Sequence, residues 1–200
     1  MIKINDYFDK IYCINLDRAT ERWNTISEQF DRLNITVERF SAIEPELGCN
    51  GLLKGEIGCM RSHYEVIKKA NDLGLKNVFV FEDDAVLVDD FENKFSLFVE
   101  NIPNDWDFIY LGGNHVGGLN KINNYVNKMN YSFTAHSMAI NNNMYQSILE
   151  TLKQEQKQVD VYYAMMMQYC NAYVSNPHLS YQREGFSYIQ NGYRNYNFLK

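Results

Sequence analysis

The chain has 200 residues, the length of one ordinary α/β domain or at most two small ones. Its 46% hydrophobic and 14% aromatic content supports a sizeable core, and with only three prolines this excludes disorder, Pro-rich linkers and collagen-like sequence. Nineteen Lys and Arg against 25 Asp and Glu leave a formal charge of −6, and the longest cationic cluster is Lys68-Lys69. Nucleic acid and anionic membrane surfaces are therefore poor partners.

No apolar run approaches the ~20 residues of a membrane span, so no transmembrane segment is expected. The opening MIKINDYFDKIYCI is too charged for a secretory h-region, which makes a cytoplasmic location, bacterial or viral, the expectation. Cys13, Cys49, Cys59 and Cys170 show no C-x-x-C spacing and read as core thiols.

In chain order, Lys10 to Asn15 is a short, nearly continuous apolar run, as in a strand buried on both faces. Thr20 can cap a helix running to about Leu33, and β-branched Ile35 to Phe40 predicts a second strand. Ser41 to Gly55, with Pro45 and three glycines, reads as a loop. The spacing Ile57, Met60, Tyr64, Ile67, Asn71 predicts a helix ending near Gly74. Asn77 to Phe81 is a strand that ends in Glu82-Asp83-Asp84, followed by a helix over Phe91 to Asn101 and a strand over Asp107 to Leu111. Residues 112–130 read as loops with room for a hairpin, and Tyr131 to Ile140 as a strand. Helices are expected over Asn143 to Lys157 and Val159 to Gln168, then an irregular tail. Repeated β-then-α order predicts a Rossmann-like, mostly parallel sheet flanked by helices, and the absence of repeats or linkers predicts a single domain.

In such sheets ligands sit beyond the carboxyl ends of the strands, where the acidic run falls. Glu82 and Asp84, two apart on an extended chain, can face one site; clustered carboxylates suit Mg²⁺ or Mn²⁺. A solvated acidic turn in which Asp83 or Asp84 caps the next segment is the alternative. Arg18 and Arg22 share a helix face after the first strand. Their guanidinium groups can pair with a diphosphate, or with Asp17, Glu21 or Glu28 on an ordinary surface helix. In Gly55-Glu56-Ile57-Gly58-Cys59 the glycines allow close approach of a backbone to a ligand. His63 is a proton carrier, a ligand or a packing residue. His178, after Pro177, is a loop imidazole or a third metal ligand, and Asp160 is a helix cap or a general base.

Taken in order, these pieces resemble glycosyltransferase family 25, which includes bacterial lipooligosaccharide galactosyltransferases and procollagen galactosyltransferases. The matching stretches are Ile11 to Arg18 with Glu21-Arg22, Phe40-Ser41-Ala42, Gly55 to Cys59 with Ser62-His63, and Val80 to Ala85. Weaker echoes are Asp107 to Gly112, the strand around Ser137 to Ile140, and Val159-Asp160.

The resemblance implies a GT-A type fold and a UDP-sugar-dependent hexosyltransferase that uses Mn²⁺ or Mg²⁺ and inverts the anomeric centre. It implies a donor-binding half of about 1–112 and an acceptor and catalytic half of about 113–200. By the same analogy Asp84 and Glu82 hold the metal, with His178 the third ligand that its tail position allows, and Asn15, Arg18, Arg22, Ser41, Ala42, Ser62, His63, Glu82 and Asp83 line the donor site. Asp160 is then the catalytic base, and the acceptor is a glycan or glycoprotein hydroxyl, as in lipooligosaccharide biosynthesis. The loop between Ala42 and Gly55 is shorter than the family leads one to expect, and the tail lacks a basic membrane-holding region. Two other readings stay open: a degenerate transferase acting as a nucleotide- or glycan-binding module, and a sugar nucleotidyltransferase. No GxxxxGK[ST] or GxGxxG loop supports the latter.

Overall fold

The first strand, β1 (Ile11–Asn15), is buried along its whole length because it lies inside the sheet with helices on both faces. It pairs in parallel with β2 (Glu38–Ser41) on one side and β3 (Asn77–Glu82) on the other. The crossovers are α2 (Thr20–Arg32) and α3 (Lys54–Asp72), which follow the short α1 (Ile4–Tyr7) in chain order.

Alternation along the strands divides the interior into two cores. Tyr12, Ile14, Val78 and Val80 meet Ile57, Met60, Val66 and Ile67 of α3 on one face. Ile11, Cys13, Phe79 and Phe81 meet Ile26 and Phe30 of α2 on the other, together with Phe91, Phe95 and Phe98 of α4 (Phe91–Asn101). α3 closes at Gly74, whose φ of +65° is the left-handed conformation required just beyond a helix end.

A computed structural model describes residues 1–189 and 192–195. Beyond β4 (Ala85–Leu87) and β5 (Phe108–Tyr110), the chain adds a hairpin of β6 (Leu119–Lys121) and β7 (Val126–Met129), then β8 (Ser137–Asn141) and β9 (Ala172–Ser175). The main sheet has the order β2-β1-β3-β8-β5-β9-β7-β6. β8 lies antiparallel between β3 and β5; apart from β8 and β7, the strands run the same way. The chain is therefore a single α/β domain with a mostly parallel sheet, as the β-then-α order implied. α5 (Tyr145–Leu152) and α6 (Val159–Met166) cover the face already occupied by α3. No described helix is long and apolar enough to cross a membrane.

Several expected boundaries move. Ile35 is buried as the chain leaves α2, its N–H bonded to the Phe30 carbonyl, so the second strand begins only at Glu38. Thr20 is the first helical residue rather than a side-chain cap. The strand expected from Tyr131 starts at Ser137, and the helix expected to reach Lys157 stops at Leu152. The tail is not irregular: β9 joins the main sheet, β10 (Ser180–Gln182) pairs antiparallel with β4, and β11 (Gly185–Ser187) pairs with β12 (Gly192–Arg194). These pairings join residues distant in sequence, and local pattern carries little trace of them. The tail reading also extends over residues 190, 191 and 196–200, which lie outside the described residues.

Candidate active site

A cleft of about 460 Å³ opens beyond the carboxyl ends of β1 and β3. Its acidic wall is the run that follows the apolar part of β3. Glu82 is the last strand residue, and Asp83 and Asp84 make the turn into β4, so the three carboxylates diverge toward different neighbours. Glu82 turns to α3, its Oε1 lying 3.2 Å from His63 Nε2 and 3.6 Å from Cys59 Sγ. Asp83 turns to the end of β1, accepting from Asn15 Nδ2 at 2.6 Å and pairing with Arg22 at 2.5 Å. Asp84 accepts from Gln182 Nε2 of β10 at 3.2 Å and meets Arg22 at 3.1 Å, while its Oδ1 is buried without a hydrogen-bond partner.

The electrostatics follow this division. Burial acts to raise the Glu82 carboxyl, but its hydrogen bond to His63, with the charges of His63, His136 and Arg22, carries it below the ordinary value. Asp84 has the least compensation: burial, then the neighbouring Glu82 charge, pushes it up to about 7 against the pull of Arg22. Asp83 is raised by burial despite Arg22 and Asn15. Burial and the charges of Glu82 and Asp160 also push the Cys59 thiol well up.

Guanidinium groups form the rim beside this wall. Arg18 is held by Glu44 through hydrogen bonds of 2.8–3.1 Å, and the Tyr188 ring lies 4.5 Å from its guanidinium and 5.5 Å from that of Arg22. The acidic partners expected on the same helix are therefore not the ones used. Asn15 is buried beneath, its Oδ1 accepting from Arg39, and its carbonyl receives the N–H of Ala42, which brings the 42–45 segment to the cleft. The glycines of the Gly55-to-Cys59 stretch serve chain crossings. A Cβ on Gly58 would lie 2.4 Å from the Ile43 carbonyl oxygen, and one on Gly55 would lie 2.5 Å from the Tyr188 carbonyl oxygen.

The opposite wall carries Asp160, in the first turn of α6. Burial raises its carboxyl, offset in part by the backbone amides of Thr134, Val161 and Asp160 itself. The Thr134 N–H lies 3.4 Å from Asp160 Oδ2, and Thr134 adopts φ +68°, a strained conformation for a β-branched residue. Strain of this kind persists where surrounding structure imposes it, here against the carboxylate.

Thus the cleft gathers Asn15, Arg18, Arg22, Ala42, Glu82, Asp83, Asp84 and Asp160. Four expected site residues lie off it. Ser62 is fully buried and ties the loop to α3, donating to the Gly58 carbonyl and accepting from the Ile43 N–H. Ser41 donates to Asp17 on the exposed side. His63 lies behind Glu82, with no surface of its own. His178 does not line the cleft; its Nε2 lies 2.9 Å from that of His115, and the tail residue whose side chain donates to the Asp84 carboxylate is Gln182. Among the cleft residues to which sequence reasoning gave no site role are Cys59, Thr134, Gln182 and Tyr188. Of these four, Cys59 carried a signal, its place in the Gly55-to-Cys59 stretch and its i, i+4 spacing from His63.

The sequence profile described as Glycosyltransferase family 25 (LPS biosynthesis protein) matches residues 8–50 and 48–172. The chain belongs to glycosyltransferase family 25. Procollagen galactosyltransferase 2 of Homo sapiens is 30% identical over 129 residues, covering 52% of this chain and 21% of that protein. A Rattus norvegicus protein named probable inactive glycosyltransferase 25 family member 3 is 40% identical over 133 residues, covering 54% and 23%. The family 25 chain thus spans about a fifth of the length of these curated relatives. Among solved structures, a glycosyltransferase involved in glycosylating the major capsid of PBCV-1 superposes with TM-score 0.53 at 10% identity, covering 84% of this chain and 81% of that one. A197 from STIV superposes with TM-score 0.52 at 11% identity over 94% of each chain. At such identity these two likenesses concern the fold alone.

Proposed function

We propose that this family 25 chain transfers a hexose, galactose or glucose, from a UDP-sugar to a hydroxyl of a glycan or glycoprotein acceptor, with inversion and with Mn²⁺ or Mg²⁺. The observation that carries the reading is one cleft holding two guanidinium groups, a buried carboxylate with an unpartnered oxygen, and a second carboxylate on the facing wall. Asp84 Oδ1 is the kind of hard oxygen donor these cations take, and Glu82 beside it supplies a second carboxylate; His178 is dropped from the set.

When bound, the cation supplies Lewis-acid stabilisation to the departing diphosphate. Arg18 and Arg22 add positive charge on the same side, where negative charge grows as the glycosidic bond breaks. Asp160 accepts the acceptor hydroxyl proton from the opposite side, as direct displacement with inversion requires. Its raised affinity for a proton suits that task, and the cradle of backbone amides holds it in one orientation.

The test is UDP release from UDP-galactose, UDP-glucose and UDP-N-acetylglucosamine with candidate acceptor glycans, with Mn²⁺ or with a chelator, beside Asp84→Asn. Metal-dependent release from one donor, lost in the variant, is the expected result. Tight UDP binding without turnover would replace the reading with a binding module, and pyrophosphate release from a nucleoside triphosphate would replace it with a nucleotidyltransferase.

A further inference from the structure

Behind the acidic wall three side chains of different chemistry converge. Cys59 and His63 sit one turn apart on the same face of α3, and Glu82 arrives from the end of β3. The Cys59 Sγ, His63 Nε2 and one Glu82 carboxylate oxygen all lie within 4.8 Å of one another. We propose that Cys59, His63 and Glu82 form a Zn²⁺ site with three protein ligands and a fourth position open to the cleft.

The spacing fits the ion. Tetrahedral Zn²⁺ with bonds of about 2.3 Å to sulfur and about 2.0–2.1 Å to nitrogen and oxygen separates S from O by about 3.5 Å and N from O by about 3.3 Å. The observed separations are 3.6 and 3.2 Å. The Tyr163 hydroxyl lies 3.2 Å from His63 Nδ1, the outer partner that a ligating imidazole takes to fix its tautomer and ring orientation. A thiolate and a carboxylate together balance the charge of Zn²⁺, so the buried assembly is neutral. Cys59 and Glu82 border the cleft while His63 lies behind them, which leaves the open side facing the cleft.

Glu82 is common to this site and to the proposed Mn²⁺ or Mg²⁺ position at Asp84, its Oε1 facing Cys59 and His63, and the other donors separate the two. Thiolate and imidazole select Zn²⁺, whereas the harder ions prefer oxygen throughout. The zinc site does not depend on the transferase reading.

The experiment is a Co²⁺ titration of the full chain after chelator treatment, followed by absorption, with Zn²⁺ then used to displace Co²⁺. The expected result is one equivalent of Co²⁺ giving a thiolate-to-metal charge-transfer band in the near ultraviolet, with the intense visible bands of a four-coordinate ion. Cys59→Ser removes the band and weakens Zn²⁺ binding by at least about 100-fold, and Tyr163→Phe keeps the band with binding weakened by about 10-fold. Cys49→Ser and Asp84→Asn leave the band intact. Absence of the band from the wild-type chain overturns the site whatever the variants do, as does its persistence in Cys59→Ser. A normal band with no metal-dependent UDP release would instead count against the transferase reading alone.

Discussion

The two walls of the cleft hold carboxylates in opposite ways. On the β3 side, Asp83 and Asp84 share the Arg22 guanidinium, and side-chain amides of Asn15 and Gln182 donate to them. On the α6 side, Asp160 has its contact with the Thr134 amide at 3.4 Å and the first-turn amides of its own helix, and it forms no ion pair among the described residues. The first wall keeps several negative charges together against one cation, and the second holds one carboxylate by backbone amides alone, its affinity for a proton raised by burial. On the proposed transfer, the first side would meet the leaving group and the second the nucleophile.

The most direct way to break this contrast is Asp160→Asn. Transfer should fall by roughly 10²–10⁴-fold, the usual contribution of a general base, while UDP-sugar binding measured by calorimetry stays within a few-fold of wild type. Equal loss of both would make Asp160 part of the binding wall.

Arg22→Ala attacks the other side. It leaves Asp83 and Asp84 without their shared cation and should cost about 2–3 kcal/mol in denaturant unfolding, discounted for the partial exposure of the arginine. A cost near zero would mean that the carboxylates are held by amides alone.

The smallest effect is in the pH dependence of the chelator-treated protein. The Asp84 pKa is raised in the fold to about 7, so the folded state holds this proton more tightly than the unfolded state. The resulting stability is complete below the ordinary Asp range and is lost as pH rises through about 7, with a slope of at most about 1.4 kcal/mol per pH unit for one proton. Asp84→Asn should flatten that decline in thermal melts recorded between pH 5 and 8. An unchanged decline would assign the proton to Asp83 or Asp160.

The acidic wall was legible because it is local. A strand of Val78 to Phe81, apolar on both faces, must end where three carboxylates begin, and the polarity change sets the carboxyl edge of the sheet. Arg22 was legible for the same reason, four residues after Arg18, although Arg18 lies in the turn before α2 and only Arg22 is on the helix. Gln182 and Tyr188 were not. Each reaches the cleft through the tail, where β10 pairs with β4 across roughly a hundred residues of chain, and neither has a periodicity that announces a partner.

His178 lies off the cleft for a related reason. Its sequence position allowed it to fold over the site, but pairing of Ser180 to Gln182 with β4 brings Gln182 to Asp84, and the imidazole packs against His115 instead. Likewise the glycines of the Gly55-to-Cys59 stretch signalled a close approach in sequence without saying by what; crossing chain segments make it.

What the sequence by itself determined is the class of the fold, its family and the place of the carboxylates, because hydrophobic periodicity and short motifs act over one or two elements. Tertiary structure decided which carboxylate is paired, which is left with an unpartnered oxygen, and that Cys59 and His63 meet Glu82. Those outcomes depend on contacts between residues far apart in the chain, formed only when the sheet and its two cores close around them.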